Sequence, residues 1–182
     1  MPDRDRDEVK LQTPHIVTEA AEAIKAEGQF KRGLNGQEVS GLIKGIVSEL
    51  VTSNPQVEGN IPFMDVTINQ GKADVKGTIR VNKPIGATVG IGIALINARN
   101  GSNSIELGSL KVESKADNLV GKMALGALNI EKKAREALAN PTDALNTYLS
   151  KEMRTQGVRL EGIAMKFTSD DKFTVLLRGS KI

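Results

Sequence analysis

The chain has 182 residues, with 25 Lys and Arg against 22 Asp and Glu, for a formal net charge of +3. That length fits one domain with at most a short appendage. No Cys, a single His, no Trp, one Tyr and four Phe exclude disulfides, thiolate nucleophiles and Cys-ligated metals, and leave too few aromatic platforms for a sequence-tolerant single-strand nucleic-acid groove.

Residues 1–12 carry the alternating run Asp3-Arg4-Asp5-Arg6-Asp7-Glu8 and nothing to bury, so they are expected to form a disordered charged tail on a single domain spanning 13–182. Behind Pro14, the residues Ile16, Val17, Ala20, Ala21 and Ile24 recur at helical spacing until Gly28 stops the helix. Gln29 to Leu34 is a short candidate strand, and Asn35 is placed to cap a second helix. There Val39, Leu42, Ile43, Ile46, Val47, Leu50 and Val51 make one continuous apolar stripe. Gly41 and Gly45 lie on or beside it. Each costs roughly 1 kcal/mol of helix propensity against Ala, which close packing on a neighbouring backbone would offset.

From residue 62 the period changes to two. Met64, Val66 and Ile68 alternate with polar residues, Gln70-Gly71 makes a turn, and Ala73, Val75, Gly77, Ile79 and Val81 continue the pattern. A third strand, Ala87 to Asn97, has Val89, Ile91, Ile93 and Leu95 on one face and Thr88, Gly90, Gly92 and Ala94 on the other. Asn100-Gly101 marks a hairpin tip. In the returning strand, Ser104 to Ser114, the apolar parity switches between Ile105/Leu107 and Leu110/Val112, which predicts a bulge at Gly108-Ser109.

Asn118 to Ala139 has helical character. Asn140 and Pro141 then start another helix with the stripe Leu145, Tyr148, Leu149 and Met153, ended by Gly157. Val158 to Phe167 and Phe173 to Gly179 form a closing hairpin, the first strand changing parity across Gly162. These elements predict an α+β fold in which a long, curved antiparallel sheet wraps around one long helix and shorter ones.

Catalytic constellations are weak. Gly90-Ile91-Gly92 sits inside a strand pattern, where a phosphate-binding turn has no place. Asp170-Asp171 and Glu131 with Glu136 fall in a turn and on a solvated face. His15 stands at a helix edge, and no nucleophile elbow surrounds any Ser. The chain is therefore expected to be no enzyme and to need no cofactor or metal. The basic run Lys132, Lys133 and Arg135 reads first as a solvated face neutralised by Glu131 and Glu136; its functional reading is a contact with an anionic membrane surface. Nearly balanced charge argues against nucleic acid as a partner. No apolar run is long enough to span a membrane and the N-terminus is charged, so the chain as written is expected in the cytoplasm, or in the envelope if a leader precedes it.

What remains is apolar architecture, which reads either as a filled aliphatic core or as a tubular cavity for an acyl chain. The segments Leu34-Asn35-Gly36-Gln37-Glu38-Val39-x-x-Leu42-Ile43, Val66-x-Ile68-x-x-Gly71-x-Ala73-x-Val75-x-Gly77 and Ile105-x-Leu107-Gly108-Ser109-Leu110-x-Val112 carry a resemblance. So does the ending Leu145-x-x-Tyr148-Leu149, Gly157-Val158-x-Leu160-x-Gly162-Ile163 and Phe173-x-Val175-x-Leu177. In order and spacing the chain is similar to the tubular lipid-binding (TULIP) superfamily, in its small bacterial single-module form related to the bactericidal/permeability-increasing proteins and SMP domains. The resemblance implies an apolar groove for a phospholipid or other acyl ligand, and a role in lipid transfer or envelope lipid handling. The leader or lipoprotein anchor common in bacterial members is absent from this chain as written. Candidate groove residues are Val39, Leu42, Ile43, Ile46, Ile91, Ile93, Leu95, Leu145 and Leu149. The alternative is a structural or protein-interaction domain with a filled aliphatic core and no ligand.

Overall fold

A computed structural model describes residues 14–52, 58–83, 86–119, 132, 135, 136 and 138–182. The proposed tail, Lys133 and most of the Asn118–Ala139 segment lie outside these residues.

Helix α1 (His15–Glu27) starts where the Pro14 carbonyl accepts from Val17 N at 2.8 Å. It stops at Gly28, whose left-handed φ of 76° lets its N–H reach the Ile24 carbonyl at 2.8 Å. The five residues of its expected stripe are all buried. They lie on β1 (Gln29–Leu34), β7 (Phe173–Lys181) and β6 (Val158–Phe167), so this helix packs on a sheet and does not extend away from it. Helix α2 (Gly36–Thr52) is capped as its sequence predicts: Asn35 Oδ1 accepts from Glu38 N at 3.0 Å. Val39, Leu42 and Val47 are buried while Ile43 and Ile46 are half-buried; the side chains of Leu50 and Val51 lie outside the described residues.

Strands β2 (Glu58–Asn69), β3 (Lys72–Lys83), β4 (Ala87–Asn97) and β5 (Ile105–Ala116) follow one another as an antiparallel meander. Gln70 and Gly71 carry φ of 52° and 74°, the two left-handed residues that a tight two-residue hairpin requires. Between β4 and β5 the register slips at Ala94/Leu95, so that Leu107 faces Leu95 and Leu110 faces Ile93 with Gly108 as the extra residue. This is the bulge that the parity switch predicts, and it keeps both apolar pairs on one face. A second slip, between Leu160 and Gly162, accounts for the parity change in β6.

Helix α3 (Pro141–Thr155) has Asn140 as N-cap, its Oδ1 accepting from Asp143 N at 3.1 Å, and buries Leu145, Tyr148, Leu149 and Met153. Gly157, at φ 77°, follows its end.

The fold is α+β. The single wrapped sheet expected from the hairpins is instead two antiparallel sheets, one ordered β1-β7-β6 and the other β2-β3-β4-β5. The closing hairpin takes its third strand from the other end of the chain, since β1 pairs with β7 from Gln29↔Arg178 to Leu34↔Phe173. It therefore does not extend the meander. Side chains bridge the sheets where they meet. Phe167 N donates to Asn97 Oδ1 at 2.7 Å while Asn97 Nδ2 donates to the Phe167 carbonyl at 3.0 Å. Beside them one main-chain bond crosses, from Met165 N to the Asn103 carbonyl at 3.0 Å. Helix α3 is pinned to the meander in the same way, its Thr142 hydroxyl accepting from Ile105 N at 2.9 Å and donating to Ile105 O at 2.8 Å.

Candidate ligand groove between two helices and two sheets

The apolar faces of α2, α3 and both sheets converge on one small cavity of about 50 Å³. Helix α2 contributes Val39, Leu42, Ile43, Ile46 and Val47. The meander adds Val75, Ile93, Leu95 and Ile105, and Phe167 and Phe173 close it from the three-stranded sheet. Leu138, Pro141, Ala144 and Leu145 complete the wall at the start of α3. Every lining residue is apolar. The two phenylalanines face each other across the β6–β7 turn with ring centroids 4.9 Å apart.

Of the residues expected to line a groove, Val39, Leu42, Ile43, Ile46, Ile93, Leu95 and Leu145 meet here. Ile91 and Leu149 are buried in the same core but do not line the cavity. Ile91 is one step further along β4, beside Gly77, and Leu149 is one turn further along α3. Phe167 and Phe173, which are not among the expected groove residues, also line it from a hairpin distant in sequence. Their inward parity in the strand pattern is the available signal.

The helix glycines have different neighbours from those expected. Gly45 lies under the Tyr148 ring, where an added Cβ would overlap the phenol, whereas Gly41 meets only Pro14 Cβ at 3.9 Å. The backbone contact belongs to Gly36: a Cβ there would strike the Val66 carbonyl oxygen. One helical turn on, buried Ser40 donates to the Met64 carbonyl at 3.2 Å. The α2–α3 seam is completed by Lys151 Nζ to Glu49 Oε1 at 2.8 Å. Burial pushes the Tyr148 hydroxyl up to about 12, helped by the negative charges of Glu152 and Glu49. Arg32 on β1 donates to both Glu19 of α1 and Glu38 of α2, and these partners raise its pKa further.

The residues weighed for chemistry stay apart. His15 is exposed, 3.9 Å from Glu19. Asp171 accepts from Gln70 N at 3.1 Å, joining two turns, and the Thr168 hydroxyl holds the neighbouring Asp170 carboxyl below its ordinary range. Gly90 and Gly92 are interior to β4. Lys132 and Arg135 are exposed, and Lys132 Nζ lies 3.9 Å from Glu136. Among the described residues no group of three or more His, Asp or Glu is placed to hold a metal, and no helix is long and apolar enough to cross a membrane. No protein-family model matches this chain, and no curated protein matches it at a significant level.

Proposed function

We infer that the protein binds a lipid or other acyl ligand without catalysing a reaction, and that the groove opens from the cavity between α2, α3 and the two sheets. The observation that carries this reading is the wall itself, contributed by both helices and both sheets with no polar side chain. A hydrocarbon guest gains free energy from apolar area removed from water, about 25 cal/mol per Å², and needs no directional partner. The TULIP resemblance supports the same ligand class, and lipid transfer or envelope lipid handling is the role it implies. At about 50 Å³ the cavity is well below the roughly 300–1,000 Å³ of ligand sites. Uptake therefore requires the walls of the cavity to part. That same small volume favours a second reading, an interaction domain with a filled core.

Native mass spectrometry of detergent-free protein, followed by lipid extraction and uptake of a fluorescent fatty acid, separates the two. Co-purifying acyl species that vanish in Ile46→Trp or Ile93→Trp, together with higher uptake in Leu145→Ala, support the groove. A ligand-free protein that takes up no fatty acid, even as Leu145→Ala, establishes the filled core.

A further inference from the structure

Three cations from three elements meet at the far end of α3. Arg154 on its last turn, Arg159 on β6 and Lys181 on β7 line an open concavity of about 560 Å³ with Gly157 and Ile182. That is the size of a small-molecule site. The backbone holds the elements together here: Val158 pairs with Lys181, and Ile182 N donates to the Gly157 carbonyl at 3.0 Å. A fourth cation borders it, because Lys25 Nζ lies 3.8 Å from where a Cβ on Gly157 would stand.

Charge in the concavity is one-sided. No acidic side chain lines it, and Arg154 and Lys181 have no ion-pair partner among the described residues. Arg159 has Glu161 at 3.5 Å, but both are at least half exposed and such a pair is worth little. Gathering like charges without counter-charge is unfavourable, and a multiply charged anion relieves it. Guanidinium forks match pairs of phosphate oxygens, whereas an ammonium acts as a point charge.

We propose that this concavity binds a phosphate-bearing ligand, with Arg154 and Arg159 donating to phosphate oxygens and Lys181 supplying charge. At 1.5 Å per residue, Arg154 lies roughly 13 Å along α3 from Leu145, the nearest residue of the cavity wall on that helix. The site is therefore separate from the groove and does not depend on it. It also differs from the Lys132–Arg135 run, whose residues are adjacent in sequence.

Calorimetric titration of pyrophosphate into the intact protein at low ionic strength tests the proposal. Saturable binding should weaken as salt is added. It should fall about tenfold or more in the triple variant Arg154→Gln/Arg159→Gln/Lys181→Gln, with an unchanged circular dichroism spectrum, and persist in Lys132→Gln/Arg135→Gln. Sedimentation with phosphatidic acid vesicles, against phosphatidylcholine vesicles, identifies the source of the phosphate. Vesicle binding that pyrophosphate competes away assigns a lipid headgroup; pyrophosphate binding without vesicle binding assigns a soluble phosphate compound. Absence of saturable pyrophosphate binding, or binding unchanged in the triple variant, overturns the site.

Discussion

The Asn97 side chain pairs with the Phe167 main chain as a neighbouring strand would, accepting from its N–H at 2.7 Å and donating to its carbonyl at 3.0 Å. One carboxamide thus satisfies two partly buried backbone groups at the junction of two sheets. Asn97→Ala removes both partners and should cost about 2 kcal/mol by urea denaturation. Asn97→Asp keeps the acceptor but sets a carboxylate against the Phe167 carbonyl. Its stability should therefore rise relative to wild type as pH falls from neutral towards about 4, where the acid regains a proton to donate. A flat pH profile for that difference would count against the paired geometry.

Two glycines of α2 should respond in opposite directions to the same substitution. In Gly36→Ala the new methyl meets the Val66 carbonyl, a backbone atom that cannot swing aside. The expected loss is about 1–3 kcal/mol despite the better helix propensity of Ala. Gly41→Ala has only Pro14 Cβ at 3.9 Å and should gain up to about 1 kcal/mol. Thermal melts of the two variants side by side check this contrast.

Tyr148 gives the structure an alkaline sensitivity. Its hydroxyl titrates near 12 when folded against an ordinary value of 10, so the unfolded chain loses this proton first. The stabilisation is complete below pH 10 and declines as pH rises towards 12. Over that window the loss is on the order of 2 kcal/mol. Tyr148→Phe should lack this decline, and the difference between the two unfolding curves isolates it from lysine titration.

Deleting Gly108 should be far more damaging than substituting it. As the extra residue between Leu107 and Ser109, it allows both Leu107 and Leu110 to face β4 apolar residues. Without it, one apolar pair turns outward. We expect a loss of about 3 kcal/mol or more, or no cooperative unfolding transition.

The bulge was legible in the sequence because parity is a local property: Ile105/Leu107 and Leu110/Val112 cannot share a face without an added residue. The caps Asn35 and Asn140 and the helix stripes were legible for the same reason, and the stripes brought most of the groove residues to the cavity wall. The division into two sheets was not. It depends on β1 finding β7 across nearly the whole chain, and on Asn97 and Thr142, polar residues with no periodic signature. The Arg154, Arg159 and Lys181 cluster is equally hidden, since neighbouring charges in sequence point to Lys132–Arg135 instead. How tightly the cavity closes depends on side-chain interdigitation, which no period reports.

The packing of α2 against β2 also determines how this molecule can associate. β2 is an edge strand of its sheet, and an edge presents unpaired carbonyls and N–H groups to any passing chain. Here the Met64 carbonyl is taken by Ser40, and Gly36 is pressed onto that of Val66. Strand addition over the Met64–Val66 stretch of that margin is therefore disfavoured. Covering those two carbonyls takes the middle of one sheet edge out of reach of a passing strand, so edge-to-edge growth of this sheet is hindered at the β2 side.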